Sequence, residues 1–239
     1  MKAVILAGGK GARLGNAPVP KPLTPIDGRP IIEHVMAIFG RQGVTDFTIA
    51  TGHNAAAIDE YLADGAVERS LRQDDWRVRG VDTGAETATG GRLLRLRDQL
   101  GSTPFFLTWT DGLADIDLRA LYQFHQDHGK LVTVTAVYPP PRFGHLSLDG
   151  DRVTSFAEKP TKSEGRINGA FFVMDPKALD YIADDQTMLE DAPMQALIAD
   201  DQLRAYRHNS FWQCMDTPAE AERLDQLARS GAAPWLVIP

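Results

Sequence analysis

A short apolar segment that opens directly into a glycine-rich loop is the feature that most limits how this chain can fold. Residues 1–6 form an apolar run of strand length, and the loop over residues 8–15 holds four glycines and two cations. Glycine allows positive φ and close approach of the main chain, so its amides can surround an anion. A buried strand followed by such a loop is how α/β proteins present backbone N–H groups to phosphate.

The loop excludes two common phosphate-binding motifs. The P-loop requires four residues between its first glycine and a Gly-Lys-Ser/Thr string, which the sequence lacks. The dinucleotide fingerprint requires glycine at position 14, where Leu14 stands. A rival oxidoreductase interpretation, with a looser glycine spacing, would need an acid at the end of the second strand. That strand ends instead in Thr51, Gly52 and His53, so the oxidoreductase interpretation is disfavoured.

Strand and helix patterns alternate over the first two-thirds of the chain. Strand patterns lie at 47–51, 78–81, 105–110 and 131–138, and helix patterns at 31–39, 55–62, 92–100 and 118–128. After three prolines, the pattern changes to a hairpin at 145–156, strands at 169–174 and 203–208, and helices at 176–183, 194–199 and 219–228. We predict an α/β fold: a single Rossmann-like domain with a mostly parallel mixed sheet flanked by helices, plus a small β-rich subregion.

Charge and cysteine content narrow the choice of partners and compartment. The formal net charge of −7 argues against nucleic acid as the main partner, because proteins that bind the phosphate backbone are usually basic. A single cysteine, Cys214, excludes an internal disulfide and a multi-cysteine metal site. The sequence shows no signal-peptide pattern and no apolar run near 18 residues. We therefore expect a cytoplasmic protein with no membrane partner.

Several polar residues stand just after predicted strands, where open parallel sheets bind ligands. Asp111 follows a buried strand and precedes glycine, so it could hold Mg²⁺, which prefers oxygen ligands. The alternative is a simple turn aspartate, since Asp-Gly is a common turn pair. Arg13 and Lys21 could be solvated surface cations, but four neighbouring glycines favour a phosphate role. Asp216 precedes a predicted helix, where an aspartate more often caps the helix than binds a ligand.

Six segments together resemble the sugar-1-phosphate nucleotidyltransferases. They are residues 6–14, 20–23, 110–112, 156–160, 168–173 and 212–217, in the order that the family has them. Within the family, the chain is most similar to the cytidylyltransferases that act on glucose 1-phosphate, through residues 81–93, 133–137, 142–144, 211–213 and 233–235. The resemblance implies that the β-rich subregion binds the sugar.

The resemblance also assigns roles to matching positions. Arg13, Lys21 and Asp111 would be catalytic, and Asp111 and Asp216 would share the cofactor, a Mg²⁺ ion. The nucleotide would be bound by Leu6, Ala7, Gly8, Gly9, Lys10, Gly11, Thr87, Gly90, Gly91, Arg92 and Thr110. The sugar phosphate would be bound by Gly144, Glu158, Lys159, Asn168 and Gly169. Residues 1–138 would form mainly the nucleotide-binding half of one domain spanning 1–239, and residues 139–239 mainly the sugar-phosphate-binding half.

The implied reaction transfers a nucleotidyl group from a nucleoside triphosphate to a sugar 1-phosphate and releases pyrophosphate. CTP and glucose 1-phosphate are the favoured substrates, and activated sugar for surface polysaccharide is the implied purpose. A guanylyltransferase, or an enzyme for another sugar 1-phosphate such as a heptose, is the alternative within the enzyme class. A non-catalytic sugar-nucleotide sensor is a remoter alternative, which the presence of Arg13 and Asp111 disfavours. A homo-oligomer is left open.

Overall fold

A seven-stranded mixed sheet with helices on both faces organises the described part of the chain. The computed structural model describes residues 1–11, 19–63, 67, 75–140, 145–157 and 165–237. The strands are β1 (Lys2–Leu6), β2 (Pro25–Ile26), β3 (Arg29–Pro30), β4 (Asp46–Thr51), β5 (Arg77–Asp82), β6 (Phe105–Trp109), β7 (Gly112–Ala114), β8 (Val132–Val137), β9 (His145–Asp149), β10 (Arg152–Ala157), β11 (Ile167–Met174), β12 (Leu203–Arg207) and β13 (Trp212–Cys214).

The helices follow the strands along the chain and cover the sheet. They are α1 (Ile31–Gly40), α2 (Ala55–Leu62), α3 (Thr89–Arg95), α4 (Arg97–Leu100), α5 (Leu118–His128), α6 (Ala192–Ala199) and α7 (Pro218–Arg229). Short 3₁₀ turns cover Lys21–Leu23, Pro176–Tyr181 and Pro234–Leu236. None of the helices in the described ranges has the length and apolar character needed to cross a membrane.

The order of strands in the main sheet is β12-β8-β11-β6-β1-β4-β5. Strand β11 runs antiparallel to both of its neighbours, and the other neighbouring pairs are parallel. The hairpin of β9 and β10 forms a separate two-stranded sheet, and β7 pairs with β13 in another. The predicted fold class, with its mostly parallel mixed sheet, is therefore confirmed.

Alternation along β1 explains why the sheet is covered on both faces. Ala3 and Ile5 pack into one apolar core, together with α1, while Val4 and Leu6 pack into a second core with α3 and α4. Successive side chains of a strand point to opposite faces, so an uninterrupted apolar strand requires two cores. The continuous apolar run at the start of the sequence is the signature of this arrangement.

The predicted helix over 92–100 is the clearest departure from the sequence patterns. It begins earlier, at Thr89, and breaks into two helices at Leu96, whose N–H donates to the carbonyls of both Arg92 and Leu93. The predicted helix at 176–183 is a 3₁₀ turn that ends at Tyr181. The hairpin around Gly150 and the helices at 55–62 and 118–128 are confirmed.

Two histidines on α5 share one buried hydroxyl. His125 Nδ1 and His128 Nε2 lie 2.9 and 2.7 Å from Thr133 Oγ1, so the hydroxyl can serve both rings. The pKa of His125 is lowered to about 4, mainly by burial and secondly by the neighbouring His128. As the pH falls, the unfolded chain binds a proton at this position near pH 6.5, whereas the folded chain binds it only near pH 4.

We expect stability to fall as the pH drops from about 6.5 towards 4. In this window the unfolded state binds more protons than the folded state, so lowering the pH favours unfolding. The shift at His125 corresponds to about 2–3 kcal/mol of unfolding free energy between pH 7 and pH 4. Urea unfolding at pH 7 and 4.5 should show a smaller loss for His125→Asn than for wild type. An equal loss in both proteins would contradict the prediction.

Candidate active site

A cavity of about 340 Å³ opens at the carboxyl edge of the sheet, beside the glycine-rich loop. The parallel strands β1, β4, β5 and β6 all end at this edge, which is where α/β sheets bind ligands. The lining residues are Leu6, Ala7, Gly8, Gly9, Gly11, Lys21, Pro22, Thr87, Ala88, Thr89, Arg92, Trp109, Thr110, Asp111 and Met188. The cavity is therefore the candidate active site.

The glycine-rich loop offers open backbone donors to the cavity. Within the described ranges, the N–H groups of residues 8–11 donate to no protein acceptor. The start of the loop is fixed, because Ala7 N donates to Ala50 O at 2.9 Å and His53 N donates to Gly8 O at 3.1 Å. Gly11 has a φ of +62°, which favours glycine. A fixed loop with free N–H groups is suited to binding an anion such as phosphate.

Lys21, Asp111 and Asp216 form a charged cluster at the cavity wall. Lys21 Nζ donates to Asp111 Oδ2 at 2.8 Å and to Asp216 Oδ1 at 2.7 Å. The three side chains are only 12%, 24% and 16% exposed. Burial alone would lower the pKa of the Lys21 ammonium, but the carboxylates, Asp111 first, outweigh burial and raise its pKa above the ordinary value.

Backbone pairing and a helix cap bring Asp216 to this cluster. Strand β13 pairs with β7, and Met215 N donates to Asp111 O at 2.8 Å. Helix α7 is capped by Thr217, whose side chain accepts from Glu220 N in a reciprocal capping box. The interpretation of Asp216 as the cap of helix α7 is therefore wrong. Its backbone N–H donates to Glu220, which leaves its carboxylate to face Lys21.

Asp111 and Asp216 supply donors of the kind that Mg²⁺ uses. Both carboxylates already converge on one small cation, the ammonium of Lys21. Mg²⁺ is usually bound by one or two carboxylates together with water and substrate phosphate. In the part of the chain that the structure describes, no group of three or more His, Cys, Asp or Glu side chains could hold a metal ion. The pair therefore fits a Mg²⁺ ion whose other ligands are water and phosphate.

Arg92 lies beneath the glycine-rich loop and is almost fully buried, with 4% exposure. Its guanidinium donates to the carbonyls of Gly8, Thr51 and Gly84 at 2.8–2.9 Å, and to a threonine hydroxyl at 2.7 Å. Burial lowers the pKa of this guanidinium. A Cβ at Gly8 or Gly52 would come within 2.2 Å of the guanidinium, so both glycines make room for it. Arg92 thus ties the loop to the ends of β4 and β5.

We expect Arg92→Lys to loosen this loop, because an ammonium cannot reach all of these oxygens in the planar geometry of a guanidinium. The free energy of unfolding should fall by about 1–3 kcal/mol, which is several degrees in melting temperature. A thermal melt of each protein measures this change.

Arg97→Lys is the matched control for Arg92→Lys. Arg97 pairs with Asp180 on the surface, where both side chains are exposed, so this change should cost less than about 0.5 kcal/mol. Equal effects of the two substitutions on melting temperature would show that Arg92 does not fix the loop.

The other predicted nucleotide residues divide into two groups. Thr87 and Thr110 line the cavity, together with Leu6 and Ala7. Lys10 points to the surface and pairs with Glu86 at 3.1 Å. Gly90 and Gly91 do not line the cavity but lie against the segment at 185–189, where a Cβ on either would clash with backbone. The roles of these residues towards a nucleotide remain predictions.

The predicted sugar residues that the structure describes lie on a bulge of β11. The register of β11 against β8 shifts between Asn168 and Phe172. Asn168 Oδ1 accepts from Ala170 N at 2.8 Å and supports a φ of +63° at Ala170. Gly169 O accepts from Trp212 Nε1 at 2.8 Å and lies 3.8 Å from an ideal Cβ on Gly112, the neighbour of Asp111. The bulge therefore brings Asn168 and Gly169 towards the charged cluster.

Four predicted site residues, Arg13, Gly144, Glu158 and Lys159, lie outside the described residues. The sequence patterns also missed five residues that line the cavity: Pro22, Ala88, Thr89, Trp109 and Met188. Trp109 ends β6, so the strand-end rule could have found it. No sequence pattern marks Met188 as a cavity residue, because it lies in a loop that is far along the chain from the other lining residues.

An α/β fold with a glycine-rich loop beside a pair of carboxylates is suited to an enzyme that transfers phosphate-containing groups. The family model "Nucleotidyl transferase" matches residues 2–217. A glucose-1-phosphate cytidylyltransferase from Salmonella typhi is 40% identical over 98% of both chains. The chain therefore belongs to the nucleotidyl transferase family, as an enzyme of its sugar-1-phosphate class.

More distant relatives share the fold. A mannose-1-phosphate guanyltransferase from Hypocrea jecorina is 29% identical over 92% of this chain and 62% of its own length. The crystal structure of HddC from Yersinia pseudotuberculosis complexed with GMP-PN superposes with a TM-score of 0.72 at 21% identity, covering 94% of this chain and 98% of that one. At that identity, the likeness to HddC establishes the fold alone.

Proposed function

We propose that this protein transfers a cytidylyl group from CTP to glucose 1-phosphate, giving CDP-glucose and pyrophosphate. The observation that supports the chemistry best is the Lys21, Asp111 and Asp216 cluster beside the open N–H groups of the glycine-rich loop. The choice of CTP and glucose 1-phosphate is supported by the relative at 40% identity, whose name carries both substrates.

The proposed step is an in-line displacement at the α-phosphorus of the nucleotide. A phosphate oxygen of the sugar 1-phosphate forms the new bond, and the bond from the α-phosphorus to the β-phosphate oxygen breaks. The nucleophile is already anionic, so no side chain has to remove a proton. The protein must hold two polyanions together and stabilise the charge that develops at phosphorus.

Different residues of the chain bind the phosphates, supply countercharge and bind the sugar. The N–H groups of the glycine-rich loop bind the phosphates, and Lys21 with Arg13 supplies countercharge. Mg²⁺ held by Asp111 and Asp216 would add Lewis-acid countercharge when bound. On the other side, we assign Lys159 and Gly144 to the sugar phosphate, and Glu158, Asn168 and Gly169 to the sugar.

Residues 1–138 would accordingly serve mainly the nucleotide and residues 139–239 mainly the sugar phosphate. Thr87, Thr110 and Arg92 belong to the first half and line the cavity. Asp216 comes from the second half, yet it contacts Lys21 of the first half. The two halves of the domain thus meet at the charged cluster, where the two substrates must react.

A guanylyltransferase for another sugar 1-phosphate, such as a heptose, is the second candidate. The mannose-1-phosphate guanyltransferase relative favours this alternative, although it is less similar to this chain than the cytidylyltransferase is. A non-catalytic sensor is disfavoured, since Asp111 and Lys21 are present and in contact.

Pyrophosphate release tests the proposal directly. CTP, GTP, UTP and dTTP should each be combined with glucose 1-phosphate, mannose 1-phosphate and a heptose 1-phosphate, with Mg²⁺ and with EDTA. We expect the highest kcat/KM for CTP with glucose 1-phosphate, and loss of activity in EDTA. A preference for GTP would favour the second candidate, and no release with any pair would favour the sensor.

A further inference from the structure

The segment at residues 184–190, called here the 184–190 segment, is docked on the first turn of α3. Ala88 N donates to Asp185 O at 2.9 Å, and Gly90 N donates to Thr187 O at 3.0 Å. In return, Leu189 N donates to the side chain of Thr89 at 2.9 Å. The N–H groups that a helix start leaves open are thus used to hold a distant loop in place.

Two glycines of α3 make this docking possible. An ideal Cβ on Gly90 would lie 2.6 Å from Thr187 O, and one on Gly91 would lie 2.3 Å from Asp185 O. Both neighbours are backbone atoms, so they cannot rotate away as a flexible side chain would. Glycine at positions 90 and 91 therefore serves the close approach of the 184–190 segment.

Met188 is fixed at the mouth of the cavity by this docking. The residue before it is bonded to Gly90 and the residue after it to Thr89, so the backbone on both sides is anchored. The Met188 side chain lines the cavity and is nevertheless 44% exposed. A large apolar side chain held in place on the cavity lining offers a contact surface to an apolar part of a ligand.

One end of the cavity carries an ion pair, and the other end is lined mainly by uncharged side chains. Asp111 follows β6, and Thr87 follows β5; β1 and β4 lie between these two strands. The ends of β6 and β5 are therefore three strand spacings, roughly 14 Å, apart. Lys21 and Asp111 form the charged end, while the lining near α3 consists of Thr87, Ala88, Thr89 and Met188 around the carbonyl-bound Arg92. A nucleoside triphosphate has the same asymmetry, with phosphates at one end and an aromatic base at the other.

We infer that Met188 forms the apolar wall against which the nucleobase packs, and that the 184–190 segment exists to place it there. The thioether of methionine makes favourable contacts with aromatic rings and adapts to their shape. This inference rests on the proposed function, because it takes the occupant of the cavity to be a nucleoside triphosphate.

Met188→Ala should raise the Michaelis constant and the dissociation constant for the nucleotide about tenfold, because the base loses its apolar contact. The value of kcat should stay within about twofold, and so should the Michaelis constant for the sugar phosphate. Met188→Leu, which conserves volume, should remain within about twofold of wild type. Ile198→Ala is the matched control, since Ile198 is 56% exposed but does not line the cavity.

Calorimetry with tripolyphosphate separates the base from the phosphates. Met188→Ala should bind tripolyphosphate as wild type does and bind CTP more weakly. Unchanged CTP binding, or equal weakening for CTP and tripolyphosphate, would overturn the role of Met188. The binding experiment does not depend on turnover, so failure of the proposed reaction and failure of this inference give different results.

Discussion

Asp111→Asn should lower kcat by about 10²–10³-fold, the range found when one group that stabilises transition-state charge is removed. Asparagine keeps the shape and a hydrogen-bonding oxygen at position 111, but it removes the negative charge that would help to hold Mg²⁺. Asp216 keeps its hydrogen bond to Lys21, so the neighbouring structure should remain. Steady-state kinetics, together with a thermal melt of each protein, measures both effects.

Asp117→Asn is the matched control for this substitution. Asp117 lies six positions further on and caps α5, accepting from Ala120 N at 2.8 Å. Asparagine is an equally good cap, so this variant should retain wild-type kcat and melting temperature. If Asp111→Asn kept kcat within tenfold of wild type, Asp111 could not be the metal-binding carboxylate that we propose.

The layers of the fold could be predicted from the sequence because the hydrophobic pattern of its strands differs from that of its helices. Continuous apolar runs such as 105–109 signal strands that are buried on both faces, and helical spacing as in 118–128 signals amphipathic helices. The strand-end rule then placed Asp111 at the correct edge of the sheet. Each of these inferences depends only on residues that are close together in the sequence.

The contacts that complete the site could not be predicted in that way. Asp216 lies 195 positions from Lys21, and only the pairing of β7 with β13 brings them together. Arg92 was predicted to lie near the nucleotide, but no local pattern reveals that carbonyls from two loops and the end of β4 surround its guanidinium. The cap at Thr217 could have been predicted from the sequence, since Thr-x-x-Glu is the capping-box signature.

Lys21 contacts both of the carboxylates that would bind a metal cation in the cavity. In the structure its ammonium bridges Asp111 and Asp216, the same two side chains that we assign to Mg²⁺. Without the ammonium, two largely buried carboxylates would lie close together and repel each other. Lys21 therefore balances their negative charge in the free protein, and phosphates that draw the ammonium away would leave a ready cation site.

Lys21→Met should accordingly have two opposite effects. Turnover should fall by about 10²–10³-fold, because the phosphates lose a partner that stabilises developing charge. Mn²⁺ added without nucleotide should bind more tightly than in wild type, as measured by electron paramagnetic resonance, and should raise the melting temperature more. Lys130→Met removes a lysine that pairs with Asp201 away from the cavity, and it should match wild type in both measurements. Weaker or unchanged Mn²⁺ binding by Lys21→Met would mean that the ammonium and the metal do not share the two carboxylates.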